Sequence, residues 1–563
     1  MAQARPIPSA LSAERPPDPR RWLILTIVLA APLLAIFDQF VVNVAIATMQ
    51  RDLRASFGQI QLVIAGYALA FAVLLITGGR LGDLWGRKRC FMLGLGGFTL
   101  ASALCGLAPS PEFLIAARVA QGCAAALMTP QALALIRVTF PGREQSAAFA
   151  IYGAVLGLAG ILGQVVGGLL IRANLFGLSW RPIFLINLPV GLVAVVAAAF
   201  LLRESRPPVA RRLDLGGVTL VSLGLFLLVG PLVIGRDAGW PAWSLVCLLA
   251  APPTLAIFIV FERRLAARDG APLLDLGLFR SRTFVIGLLI ASLQNLGNAG
   301  YFLTLALYLQ LGLRFSPLQA GITFVPDAIG FFIAATLSAR LVPKIGSRIL
   351  LLGVTCRAIG LLILIAVAHR LGADAQSAHL MPGLFIQGFG SGCLAAPLIA
   401  FILRGIRSAD AGAAAGVLST VQQVSGALGV ALIGLLFFSL LARQADGVGR
   451  ALVLPLRQEL AAVSALAPDT LDATLADFRA CVQARAEERD IATAPPACAR
   501  PTLATTDPAR AAPLARALTI ANARLYADAF VGAVGCVIAT LVLAGILSCF
   551  LPTTQAAPND DTP

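Results

Sequence analysis

Ionisable side chains are scarce in this chain. Asp, Glu, Lys and Arg make up 13% of its 563 residues, against 58% hydrophobic residues and a mean hydropathy of +0.86. A soluble fold could not cover that much apolar surface, so soluble enzymes and binding modules are excluded and a polytopic, all-α membrane protein remains. Histidine is reduced to His369 and His379, which share one short stretch. Neither a metal site nor histidine-based catalysis inside a membrane can be built from them. Lysine is reduced to Lys88 and Lys344, to which the sequence assigns no function. No G-x-x-x-x-G-K-[ST] loop occurs, so ATP does not drive the protein directly and no cofactor is expected. The formal charge of +15 would suggest nucleic acid in a soluble domain. Here the bases fall in alternate loops between apolar runs, which points to a lipid bilayer and against nucleic acid.

The apolar runs predict fourteen spans. Six lie near 22–47, 58–77, 90–108, 111–136, 146–171 and 180–202, forming a first bundle over 21–202. Two more, near 214–235 and 243–261, sit with their basic, proline-containing linkers in 203–282. The last six, near 283–312, 317–338, 347–368, 380–403, 411–441 and 523–551, make a second bundle over 283–551. Residues 1–20, rich in proline and arginine, read as a disordered cytoplasmic tail, and 552–563 as a second tail. The run after Arg21 is about 25 residues, too long for a signal core, and acts as the first anchor. With the N-terminus inside, 24 lysines and arginines fall on the inner side. The short outer loops hold Arg51, Arg54, Arg172, Arg181, Arg236, Arg314 and Arg370. This bias predicts both termini in the cytoplasm of a bacterial-type inner membrane.

The last outer loop, 442–522, is too long for a plain turn. Leu471, Leu475, Phe478 and Val482 recur at helical spacing within it and predict a short amphipathic helix. Cys481 and Cys498 share this loop, which faces an oxidising compartment, so a disulfide between them is open but not fixed by spacing. The other cysteines fall in spans, where a thiol is a small apolar packer.

Between the second and third spans stands Gly78-Gly79-Arg80-Leu81-Gly82-Asp83-Leu84-Trp85-Gly86-Arg87-Lys88-Arg89. Its glycines permit a sharp turn and close helix approach, and Arg87, Lys88 and Arg89 suit anionic headgroups. Asp83, alone among bases, needs a specific partner or a helix N-terminus. A degraded copy follows 260 residues on, with Arg340-Leu341 for Arg80-Leu81 and Gly346 for Gly86, and with Ser316 and Gln319 for Ser56 and Gln59. Two copies of one turn imply a duplicated bundle. The stretch resembles the signature loop of the major facilitator superfamily. Six spans per half would separate the copies by about 200 residues. The excess has room for two further spans, as in the 14-helix drug:proton antiporter branch. The resemblance implies two six-helix bundles plus two extra helices, driven by the proton gradient through alternating access.

Charged residues inside a bilayer are costly, about 2.5–3.5 kcal/mol each on insertion scales unless paired or wet. Asp38 in the first span lies about 13 Å from its outer end, and Arg118 in the fourth about 10 Å. Their depths match, so they are expected to pair. Both segments also resemble family motifs, that of Arg118-Val119-Ala120-Gln121-Gly122 being implicated in proton coupling. The alternative for this pair is a static salt bridge. Asp327 and Arg357 match near the midplane and read as a buried structural pair, with Asp327 also open as a second protonation site or a counter-charge for a cationic substrate.

In the fifth span Gly153, Gly157, Gly160, Gly163 and Gly167 form one stripe on which a neighbouring helix can rock. The segment resembles the antiporter motif ending Gly-Pro-x-x-Gly-Gly, but reads Gly163-Gln164-Val165-Val166-Gly167-Gly168, with Gln164 in place of proline. For a substrate cavity, Gln294, Asn298, Tyr301 and Tyr308 share a helical face, with Asn43, Gln121, Gln422 and Gln423 as further candidates. Asn43 stands roughly 140° around the helix from Asp38, so the two do not share a face. The expected activity is proton-coupled export of small amphiphilic organic compounds by a monomer, a periplasmic adaptor being left open. The alternatives are a dedicated metabolite exporter or importer on the same scaffold, and a membrane-embedded enzyme or passive pore.

Overall fold

The computed structural model describes residues 19–140, 142–206, 214–235, 238–268, 276–403, 406, 411–463, 467–487, 495–503 and 507–551. The expected tails at 1–18 and 552–563, and Pro207-Pro208 and Arg211-Arg212 of the first linker, lie outside these residues. Among the described residues, fourteen helices are long and apolar enough to cross a membrane.

The first six are α1 (Arg21–Leu53), α2 (Phe57–Trp85), α3 (Arg87–Gly106), α4 (Pro111–Thr139), α5 (Gly142–Ala173) and α6 (Pro182–Leu201), the last broken at Ile186. The inserted pair, α7 (Leu215–Ile234) and α8 (Ala242–Ala267), pack on each other, and α7 leans on α2. The second set comprises α9 (Arg282–Leu307), α10 (Pro317–Ile345), α11 (Arg348–Leu371), α12 (Ser377–Leu403) and α13 (Ala411–Val463). A non-spanning α14 (Pro468–Glu487) precedes the last span, α15 (Pro508–Ser548).

Polar caps fix where the helices begin. Ser56, Ser110, Ser281 and Ser316 each accept a hydrogen bond from the backbone N–H three residues on, satisfying a donor that a helix N-terminus leaves free. The two halves repeat one packing scheme. α2 and α3 lie on α4 as α10 and α11 lie on α12, and α1 lies on α5 as α9 lies on α13. The turn repeats as well: Gly86 (φ 110°) and Gly346 (φ 57°) end α2 and α10 in backbone conformations that favour glycine.

The halves meet at the distal end, where α1 finishes and α2 starts. Gln310 donates to the Asn43 carbonyl (2.8 Å) and accepts from the Ala47 N–H (3.3 Å). Phe57 and Phe438 lie 4.2 Å apart, centroid to centroid. A β-carbon on Gly168 would stand 2.7 Å from Leu318 Cα, and one on Gly321 2.4 Å from the Gln164 carbonyl oxygen. At this end α5 and α10 therefore cross backbone to backbone.

The stretch read as one long outer loop is mostly helix. α13 runs for 53 residues and α15 for 41, well beyond the roughly 20 a span needs. Hydropathy drops after Leu441, but helical periodicity does not: Ala445, Val448, Leu452, Leu456 and Leu460 continue the buried face. Against it pack Leu471, Leu475, Phe478 and Val482 of α14, all buried, as their spacing predicts. Cys481 and Cys498 are joined by a disulfide. Arg479 pairs with Asp446 (2.9 Å), Arg457 with Asp472 (3.1 Å) and Arg500 with Asp477. A hydrogen bond from Arg479 holds the Asp446 carboxyl below its usual range, and one from the Thr502 hydroxyl, reinforced by Arg500, does so for Asp477.

Candidate functional site

The glycine-rich stretch between α2 and α3 is helix up to Trp85, so Gly86 alone makes the turn. Its other glycines serve helix approach. A β-carbon on Gly78 would lie 2.2 Å from the Ala126 carbonyl oxygen, and one on Gly82 would strike the Gln131 amide. Gln131 in turn donates to the Gly78 carbonyl (2.8 Å). Gly79 faces Pro130. Asp83 finds its partner one turn on, at Arg87 (3.4 Å). Glu204, just past α6, was not foreseen: it accepts from the Lys88 backbone N–H (3.1 Å) at the start of α3 and lies 3.7 Å from Arg89. An acid there complements the helix dipole. Lys88 reaches the Ala199 carbonyl (2.6 Å), which ties α3 to α6.

Asp38 and Arg118 are in contact, with 0% and 1% of their side chains exposed. Nothing in this cluster is left to lipid. The Arg118 guanidinium donates to the Val63 carbonyl (3.0 Å) and to Gln121 Oε1 (2.6 Å), and Tyr67 covers its face at 4.4 Å. Asp38 Oδ1 accepts from Gln121 (2.9 Å) and Asn187 (3.2 Å). Ser102 accepts from both amides (2.7 and 3.3 Å). Five helices thus converge on one ion pair, and each charge is paired and hydrogen-bonded, the condition for burying it. Gln121, expected in a substrate cavity, belongs to this closed cluster instead. Ser102, Asn187 and Tyr67 gave no spacing signal.

The second half builds the same crossing with its residues redistributed. The offset of 260 that relates Ser56 to Ser316 maps Asp38 onto Asn298 and Tyr67 onto Asp327. Packing agrees. A β-carbon on Gly122 would stand 2.4 Å from the Tyr67 carbonyl oxygen, and one on Gly388 would overlap the Asp327 carbonyl oxygen in the same way. Gln121-Gly122 on α4 therefore corresponds to Gln387-Gly388 on α12. The arginine has moved from α4 to α11, as Arg357.

Asp327 and Arg357 do not form the expected pair. The Arg357 guanidinium donates to Asn298 (2.7 Å), while its Nε and Nη1, and Asp327 Oδ1, have no hydrogen-bond partner. Equal depth did not bring them together because α12 wedges between α10 and α11. Its Gly388 lies on the Asp327 backbone and its Gly390 on that of Arg357.

Asp327 instead borders a cavity of ≈ 290 Å³ between the halves. Phe40, Phe302, Phe324 and Phe331 supply its apolar wall. Gln164, Gln294, Asn295, Asn298, Ser391 and Gln422 supply hydrogen-bonding groups, and among the described residues Asp327 is the sole ionisable one of the lining. Gln294 and Asn298 are where their spacing predicts. Tyr301 and Tyr308 are not in the lining: Phe302, one residue on from Tyr301, takes the cavity face, and Tyr308, where the π-turn Tyr308–Gly312 begins, stacks on Phe530 of α15 at 5.0 Å. Asn43 lies at the distal seam, and of the two adjacent glutamines Gln422 lines the cavity and Gln423 does not.

The α5 glycine stripe divides. Gly163 and Gly167 take α1 at Phe37 and Val41, Gly160 faces the Phe40 ring, and Gly157 and Gly160 border the cavity. A β-carbon on Gly153, towards the proximal end, would meet no neighbouring helix among the described residues within 4 Å. The Gln164 amide faces the cavity with both polar atoms unpartnered.

Comparison with known proteins agrees with this architecture. The profile of the Major Facilitator Superfamily matches residues 28–430. The chain is 41% identical to a probable actinorhodin transporter of Streptomyces coelicolor, over 97% of this chain and 94% of that one. It is 39% identical to a puromycin resistance protein of Streptomyces alboniger, over 76% and 84% of the two chains. Among solved structures, a bacterial homologue of the human lysosomal transporter Spinster, inward-facing and unoccupied, superposes with a TM-score of 0.60 at 16% identity, covering 95% of this chain and 98% of that one. The chain therefore belongs to the Major Facilitator Superfamily, as a multi-pass bacterial membrane transporter and not an enzyme.

Proposed function

We propose that the chain exports small amphiphilic organic compounds, of the antibiotic class named for its relatives, in exchange for protons and by alternating access of its two halves. The observation that carries this reading is the cavity between the halves, phenyl-walled, amide-studded and bearing one carboxylate. Such a lining suits an amphiphile and leaves one group able to carry a proton.

The charge bias of the loops supports a distal end outside and both termini in the cytoplasm. The distal seam is then an outer seal, and the open surface around Gly153 faces inward. Asp38 and Arg118 would link proton uptake to conformation if the pair parts when the seam opens. The protein acts as a monomer in this reading.

Inverted vesicles with an imposed pH gradient test it, with ethidium as probe. Uptake that saturates and needs an acid interior is the expected result. Uptake that needs an acid exterior would mean import, and flux that is linear in ethidium and indifferent to the gradient would mean a pore. Asp38→Asn is expected to abolish gradient-driven uptake at unchanged expression; unchanged uptake would remove Asp38 from the mechanism.

A further inference from the structure

We infer that Arg357 is a positioning residue with two alternating partners, Asn298 and Asp327, and that this exchange links the protonation of Asp327 to the hydrogen-bonding face the cavity offers its substrate. The inference rests on the proposed proton coupling but makes a claim that can fail separately.

Four observations carry it. Arg357 is fully buried, yet only one of its three guanidinium nitrogens has a partner, the Asn298 amide oxygen at 2.7 Å. Asp327 is 7% exposed and its Oδ1 has none. Gln387 Nε2 and the Tyr301 hydroxyl, also buried, are unpartnered beside them. Buried polar atoms left unmatched are costly, and the homologous crossing in the first half leaves few. Finally, α12 holds both backbones through Gly388 and Gly390, so what can move is the arginine side chain.

The exchange follows from elementary electrostatics. With Asp327 neutral, Arg357 is best served by the Asn298 dipole, the arrangement seen here. With Asp327 ionised, an arginine on the same crossing is drawn to the carboxylate. Its departure frees the Asn298 amide oxygen, which borders the cavity, to accept from a bound molecule. The titratable or charged neighbours of Asp327 are Tyr301 from α9 and Arg357 from α11. α5 presents Gln164, and α12 presents Gln387 and Ser391, all neutral. Among the described residues no other charge competes for Arg357.

Asn298 holds the balance, so two substitutions should tip it in opposite directions. Asn298→Ala removes the resting partner and delivers Arg357 to Asp327. Asn298→Asp recreates on α9 the acid that Asp38 provides on α1, and locks Arg357 there. The readout is infrared difference spectroscopy of the purified full chain across pH, following the protonated-carboxyl band that disappears in Asp327→Asn. The band of the carboxyl introduced on α9 is identified in the Asn298→Asp, Asp327→Asn double variant. The midpoint for Asp327 is expected to fall in Asn298→Ala and rise in Asn298→Asp, each by about one pH unit, tenfold in proton affinity. Gradient-driven ethidium uptake by Asn298→Asp is expected to drop roughly 5- to 150-fold, the usual range of coupling between linked sites.

Midpoints that stay put, or that move the same way in both variants, overturn the exchange. So does wild-type protein in which no Asp327 band titrates. If instead the midpoints diverge as expected but wild-type vesicles show no gradient-dependent uptake, the exchange stands and the proton-coupled export reading fails. Should Asn298→Asp misfold, Arg357→Lys and Arg357→Gln serve. The lysine keeps the charge and is expected to leave the Asp327 midpoint closer to wild type than the glutamine does; equal midpoints would sink the idea.

Discussion

The two halves place a polar cluster at the same helix crossing and finish it differently. In the first, Asp38 on α1 and Arg118 on α4 touch, Gln121, Asn187 and the Val63 carbonyl take up further hydrogen-bonding positions on them, and Ser102 accepts from the two amides. In the second, asparagine stands where the acid was, the acid stands where Tyr67 was, and the arginine has changed helices. The result is a crossing in which four residues, Tyr301, Asp327, Arg357 and Gln387, each keep at least one unmatched polar atom. A satisfied buried network rigidifies, whereas an unsatisfied one has alternative arrangements close in energy. The first half reads as a lock and the second as the part with freedom to change, and only the second opens to the cavity.

The sharpest way to break this contrast is to remove each arginine. Arg118→Ala would strand a buried carboxylate and is expected to cost about 3–5 kcal/mol, a large drop in unfolding midpoint in detergent. Arg357→Ala loses one charged hydrogen bond, about 1.5–3 kcal/mol. The paired substitution Asp38→Leu with Arg118→Met should recover most of the loss, because it removes both charges together. Equal midpoints for the two single variants would mean that the second crossing is as tightly matched as the first.

Glycine substitutions ask the same question of the backbone. Gly122→Ala and Gly388→Ala each drive a methyl into a facing carbonyl oxygen, and overpacking of this kind costs about 1–3 kcal/mol. Gly153→Ala meets open space and should be neutral or stabilising by up to about 1 kcal/mol, since alanine is the better helix former. Thermal unfolding of the three variants decides. A penalty at Gly153 matching the other two would mean that the proximal ends of the halves are in contact after all.

How far the sequence reached follows from the same geometry. Spans were legible because each is a long apolar run, and the pairing of Asp38 with Arg118 because depth along a helix is simple arithmetic from its end. Depth failed for Asp327 and Arg357, since it says nothing of direction around the axis or of a third helix in between. Tyr301 and Tyr308 were misread because a shared helical face does not fix what that face meets: Phe302 takes the cavity wall and Tyr308 packs on Phe530. Asn187, Ser102 and Glu204 are ordinary polar residues with no spacing to mark them. One usable signal went unread: extending the 260-residue offset from the turn to Asp38 leads directly to Asn298.

The smallest effects are expected where both comparisons end, in the distal cap of α13, α14 and α15. Its residue pairs are largely exposed and its disulfide closes a short loop, 17 residues apart in sequence. Reducing that disulfide should loosen α14 by no more than about 3 kcal/mol and leave uptake unchanged. Acid should act more weakly still. Asp446 and Asp477 are held below the ordinary carboxylate range in the fold, by Arg479 and by Thr502 with Arg500. A group whose folded value is depressed lends stability above its unfolded value, about 3.9 for aspartate, and loses it as pH falls through the folded one. Hydrogen exchange of α14, corrected for intrinsic rate, should therefore be flat at neutral pH and accelerate only below about 4. Asp446→Asn with Asp477→Asn should remove the dependence. Acceleration that persists in the double variant would assign the pH sensitivity to other carboxylates and leave these pairs as surface contacts without energetic weight.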